Sequence, residues 1–176
     1  KETLSSYEEG EGTAVSFRYK RYNGQLLGRL KGVYGSNITL AYTHDALDEM
    51  ALPNYKMDVS DYDRDFIRLS MVRNRVSPVV DGLRLSLIWN NIDMGGDNYS
   101  QRTPSALLLA VTEDSNRLTL RAEADLSTTS RTKWTVGMDT SLKHHKSRLL
   151  DGSDNDSMIA NRHPDIREWW TGLYGD

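Results

Sequence analysis

Carboxylates and imidazoles carry most of the chemical reach of this chain. Asp58, Asp61, Asp63 and Asp65 crowd one short stretch, and the last three, two residues apart, share one face of a strand. Spaced oxygens suit a hard cation such as calcium. The glycine and terminal glutamate of an EF-hand loop are missing here, so the series reads as an acidic rim that attracts cations or stays solvated. The segment Asp151-Gly152-Ser153-Asp154-Asn155-Asp156 offers oxygens in the same way and reads first as a polar loop tip. The imidazoles are His44, His144, His145 and His163. Adjacent in a strand, His144 and His145 point to opposite faces and do not chelate together. There is no cysteine, which excludes disulfide scaffolds, thiolate zinc sites and cysteine nucleophiles. Neither a Gly-x-Ser-x-Gly elbow nor a glycine-rich phosphate loop is present, so no enzyme is expected. Lysine and arginine total 22 against 25 aspartates and glutamates, a net charge of −3 that gives no grip on nucleic acid.

The elements that must position these groups are strands. Leu83, Leu85, Leu87 and Trp89 alternate with polar residues, as do Leu118, Leu120, Ala122, Ala124 and Leu126. Ile67, Leu69 and Met71 repeat the pattern, and so do Trp134, Val136 and Met138. Period 2 with one apolar and one polar face predicts β-strands between two environments. In the first strand the phase slips after Tyr19, and Asn23-Gly24 is a hairpin signal. The alternative is one long strand with a bulge near Arg21. With that strand continuous, the expected strands are 14–34, 38–44, 61–73, 82–92, 117–127, 132–143 and 166–176. Their connections alternate short and long. In an up-and-down sheet, every long loop then falls at one end, the pattern of an outer-membrane barrel with short periplasmic turns. From Tyr22 to Tyr34 an extended strand covers about 40 Å, or roughly 28 Å of bilayer when tilted. The longest apolar run, 106–111, is far short of the ~20 residues of a membrane helix. Competing readings are a soluble β-barrel or sandwich that binds a ligand, and a small complete outer-membrane barrel.

Several segments in order resemble the barrel of TonB-dependent outer-membrane receptors, and among those the copper-type members. They are Tyr55-Lys56-Met57-Asp58, Trp89-Asn90-Asn91-Ile92-Asp93 followed by Asp97-Asn98-Tyr99-Ser100-Gln101-Arg102, and 164–174 with Trp169-Trp170. The resemblance implies an all-β antiparallel segment of a barrel that has 22 strands in the family, matching the plugged lumen of such transporters. Residues 1–13 would be a loop end and 14–176 part of the barrel, without plug domain or barrel closure. It implies a Gram-negative outer-membrane location, contact with outer-membrane lipid, and uptake driven by the TonB system through the missing plug. The transported ligand would be a metal ion, copper favoured, or a metal chelate such as a siderophore, with no resident cofactor. It implies ligand contacts at Met50, Met57, Met94, Asp97, Asn98 and Tyr99, with Met57, Met94 and His44 as metal donors. Thioether sulfur suits Cu(I). The plainer reading is that these methionines are apolar residues in loops that fold over the barrel mouth.

Overall fold

A computed structural model describes residues 7–9, 13–15, 19–50, 57–99, 108–127, 132–152, 159–161 and 165–176. Calls on His163, on 100–102 and on most of the polar tip 151–156 lie outside them. A small hairpin, β1 (Tyr7–Glu9) and β2 (Thr13–Val15), pairs only with itself. The remaining strands are β3 (Lys20–Val33), β4 (Ser36–Met50), β5 (Asp58–Asn74), β6 (Val80–Asp97), β7 (Leu108–Ser127), β8 (Lys133–Gly152), β9 (Ile159–Asn161) and β10 (Asp165–Gly175). Seven of them form one antiparallel sheet in the order β10-β8-β7-β6-β5-β4-β3, and β9 pairs with the far end of β8. The all-β, up-and-down expectation therefore holds.

Asn23 and Gly24 lie inside β3, paired with Asp45 and His44, so the strand is continuous from Lys20. Its register shift falls between Leu30 and Val33 rather than near Arg21, and Val15 belongs to the separate hairpin. The tight turn sits instead at Tyr34-Gly35, where both residues have positive φ, 48° and 75°. Such a two-residue turn twists in the sense that flanking strands require.

Residues paired directly across the strands share a face, and rows of such partners run the width of the sheet. One row is Leu26, Tyr42, Ile67, Trp89, Leu118, Leu142 and Trp169. The next rows on that face hold Leu40, Leu69, Leu87 and Leu120, and then Leu30, Ile38, Met71, Leu85, Met138 and Leu173. On β7 the apolar positions run from Leu118 to Leu126, about 26 Å of strand and roughly 20 Å of depth at the usual tilt. That approaches the apolar band of about 25 Å on membrane barrels.

Among the described residues only Leu108 and Ala110 are buried apolar side chains. Leu87 and Leu120, in the centre of the sheet, remain 40% and 38% exposed. A soluble domain buries such a face against a second layer. Here the described residues supply none, so the sheet is one wall whose apolar side needs an apolar environment.

Beyond the apolar rows, toward the long connections, the strands continue. β4, β6 and β8 end at Met50, Asp97 and Gly152 rather than at 44, 92 and 143. The apolar rows of the first face end there, while the opposite face still carries Leu47, Tyr62 and Met94 in one row. The row above Leu26 contains His44, Asp65, Asn91, Asn116, His144 and Arg167, and the row above that Asp63, Asp93, Asp114, Lys146 and Asp165.

Candidate functional site

The second face of the sheet carries charged and polar residues along its length, including the stretch behind the apolar rows, interspersed with Leu27, Phe66, Ile88 and Trp170. Its lower part is an ionic network. The Arg84 guanidinium donates to Glu123 at 2.9 Å and, in a fork, to both oxygens of Asp125 at 2.6 and 2.8 Å. Arg121 donates to Glu123 at 2.8 Å and lies 3.6 Å from Asp139. The Tyr174 hydroxyl donates to Glu123 at 2.6 Å and accepts from Arg121 at 3.1 Å, and the Thr135 hydroxyl donates to Asp125 at 3.0 Å. Two guanidinium groups thus face three carboxylates, Arg84 reaching across from β6 to Glu123 and Asp125 on β7, and Arg121 on β7 lying between Glu123 of its own strand and Asp139 on β8, an arrangement that this register produces. Tyr174 reaches Glu123 by crossing the strand between them at Gly137, where an added Cβ would overlap the phenol ring. Glycine there opens the path the ring takes. Beside the network lies a cavity of about 320 Å³, whose walls include Arg68, Ser70, Arg84, Ser86 and Arg121. The Ser86 hydroxyl in it is buried without a hydrogen-bond partner.

Higher on this face, Arg21 makes a two-point bond to Asp45 at 3.1 and 3.0 Å. That guanidinium holds the Asp45 carboxyl below its usual range. Arg64 donates to Asn90 at 2.9 Å. His145 lies 3.5 Å from Glu113, while His144 on the opposite face bonds Asp165 at 2.6 Å, so the adjacent imidazoles do diverge.

The structure places the proposed ligand contacts at one rim of three consecutive strands. Met50 is the last residue of β4 and pairs with Val59; Met57 immediately precedes β5; Met94 lies in β6, paired with Tyr62 and Glu113. Met50 and Met94 are therefore strand residues, not loop residues as their flanks suggested. Met94 is half-buried and stands on the polar face with Tyr62. His44 does not join it. His44 pairs with Asp65, three residues from Tyr62 along β5, and an odd offset means the other face. There its Nδ1 lies 3.0 Å from Asp65, which also accepts from the Tyr42 hydroxyl at 2.7 Å. The Tyr42 bond, then the His44 bond, keep Asp65 below its ordinary value. One ion cannot be held by His44 and Met94 together. Among the described residues no three histidines or carboxylates group as a metal site.

Asp97, Asn98 and Tyr99 have structural work at the β6–β7 connection. The Asp97 carboxylate accepts from the Tyr99 amide at 3.0 Å, and Asn98 exchanges with Leu109, its amide donating at 3.1 Å and its side-chain oxygen accepting at 2.8 Å. Asp97 and Asn98 are both buried. The acidic series lies as its spacing requires, with Asp61, Asp63 and Asp65 on one face of β5. The network residues Arg84, Glu123 and Asp125 were visible only as polar alternates. The positions of Gly137 and Tyr174 were the remaining signal, and pairing them needed the register.

No protein-family model matches the sequence, and no curated protein matches it. Among solved structures the chain is similar to one described as the copper transporter OprC, with a TM-score of 0.78 at 23% identity. The match covers 98% of this chain and 28% of that one. It identifies the fold: a run of barrel wall, spanning about a quarter of the length of that protein.

Proposed function

We propose that the chain is a stretch of wall from a larger outer-membrane barrel that imports a metal ion or metal chelate by TonB-dependent transport. The observation that carries this reading is the division of the sheet. Rows of exposed apolar side chains cover one face, and compensated charges cover the other at the same depth. A bilayer on one side and a wet lumen on the other satisfy both. Copper is the favoured cargo on two grounds, the similarity to a copper transporter and the soft sulfurs at one rim. Met94, facing the lumen, is the primary donor in this proposal, and Met57 and Met50 join it from neighbouring strands. Asp97, Asn98 and Tyr99 hold the adjoining loop in place, from which Tyr99 contacts the ligand. His44, on the lipid-facing side, is left out of the donor set.

The test uses the full-length protein expressed in Gram-negative cells. Uptake of copper and of a ferric siderophore is measured with the inner-membrane energy system intact and disabled. Copper uptake that requires that system, and that is lost on Met57→Leu with Met94→Leu while the barrel still assembles, supports the reading. Leucine conserves volume and removes only the sulfur. Uptake of a ferric siderophore but not of copper redirects the cargo to chelates. No energy-dependent uptake of either sinks the transport proposal.

A further inference from the structure

The face that carries the apolar rows also holds a groove of about 360 Å³ at their upper edge, between β7, β8 and β10. Its floor is Leu118, Leu142 and Trp169, three members of one row. Its roof is Asn116, His144 and Arg167, the next row on the same face. Among the described residues nothing covers the floor, with Leu142 54% and Trp169 73% exposed. Above the roof, Lys146 and Arg148 continue the column on β8 at every second residue. Lys146, Arg148 and Arg167 are exposed, and among the described residues none of them has an ion pair within 4.0 Å, although the charges of Lys146 and Arg167 act on Asp165 beside them. The other strands show the opposite charge in the same rows, with Asp61, Asp63, Asp93 and Asp114 on β5 to β7, while β10 sets one carboxylate, Asp165, opposite Lys146. Lys146, Arg148 and Arg167 against that one carboxylate still direct an anion on this wall to β8 and β10.

We propose that this groove binds one phosphorylated glycolipid of the outer leaflet. This rests on the membrane-barrel reading above, in which the long connections face the cell surface. An acyl chain lies along Leu118, Leu142 and Trp169, one phosphate is held at the lower end by Arg167 and Lys146, and the other by Arg148 at the top. The height of the basic column selects the headgroup. From His144 to Arg148 the strand rises about 13 Å, more than one phosphodiester group fills. A sugar headgroup with phosphates at both ends spans it. His144, bonded to Asp165, fixes the lower edge of the roof.

The experiment uses the full-length protein, extracted from outer membranes and delipidated in detergent. Native mass spectrometry reads the retention of bisphosphoryl lipid A, monophosphoryl lipid A and phosphatidylglycerol. One bisphosphoryl lipid should be retained per protein, ahead of the other two. At about 1 kcal/mol per basic residue near an anionic surface, Lys146→Gln with Arg167→Gln should weaken binding about 25-fold. Lys31→Gln, at the opposite end of β3, should leave it unchanged. All three positions are exposed, so the variants should still assemble, checked by the compact, heat-sensitive gel band of a folded barrel. Equal binding by the double variant, or equal retention of phosphatidylglycerol, overturns the proposal. A protein that stays in solution without detergent overturns the membrane reading with it. One that needs detergent but ignores the charge changes overturns the groove alone.

Discussion

Leu120 tests the assignment of the two faces most directly. It sits mid-sheet on β7, paired with Leu87 and Thr140, with nothing from the described chain over it. In a bilayer, Leu120→Arg places a guanidinium in hydrocarbon. For a lipid-facing barrel position near the midplane this costs about 2–4 kcal/mol, or a factor of roughly 100 in the folded-to-unfolded ratio. Two further arginines locate the cause. Thr119→Arg, one residue away, stands on the opposite, polar face and gives up the contact with the Ser141 hydroxyl at 3.2 Å, so about 1 kcal/mol is expected. Asp114→Arg lies on the same face as Leu120 but six residues up, about 14 Å higher once the strand is tilted. It also breaks the row in which Asp63, Asp93 and Asp114 stand side by side. Like charges opposed across strands destabilise a sheet, and the change relieves Asp93 while setting an arginine opposite Lys146, so Asp114→Arg should be close to neutral. The assay is reversible urea unfolding of the full-length protein in phosphatidylcholine vesicles, followed by tryptophan fluorescence. A cost at Leu120 no greater than at Thr119, or a cost at Asp114 matching that at Leu120, would refute the assignment of lipid to this face.

Other consequences follow from single contacts. Gly137→Ala should cost about 1–3 kcal/mol, because its methyl overlaps the Tyr174 ring, and far less in a Tyr174→Leu background, a non-additivity that a double-mutant cycle in the same urea assay reads. Asn98→Ala should cost about 1–2 kcal/mol and speed hydrogen exchange at the Leu109 amide, which would lose its acceptor. The Asp45 carboxyl is held below its ordinary value of 3.8 by Arg21, so the stability it contributes is present above that value and lost as pH falls through the lower folded one. Acid titration of unfolding below pH 4 should therefore show a loss that Arg21→Gln abolishes, and under about 1 kcal/mol of it, since the pair is partly exposed.

Strand identity was legible wherever one face is apolar and the other polar. Residues 83–89 and 118–126 alternate apolar and polar, and that contrast is the whole signal. Past Asp93 and Asn116 the strict contrast disappears, and the same strands read as loops. Thus β6 to β8 are each longer than the alternation indicated. The turn at Tyr34-Gly35 was passed over for a similar reason. Tyrosine is not a residue whose type announces positive φ, whereas Asn23-Gly24 announces a hairpin that the ladder with Asp45 and His44 overrides.

Composition and period determined the class of this protein: strands, one apolar face, no thiol chemistry and a nearly balanced charge. They did so because a side chain's face follows from position parity alone within an unbroken strand. Only the tertiary structure decided which residues meet. Register brings Arg84 to Glu123 and Asp125 across about 40 positions of chain, and aims Tyr174 over Gly137. It also puts His44 and Met94 on opposite faces, although both approach the same rim. Pairing partners are set by the alignment of separate strands, which depends on every turn and bulge between them and is written at no single position.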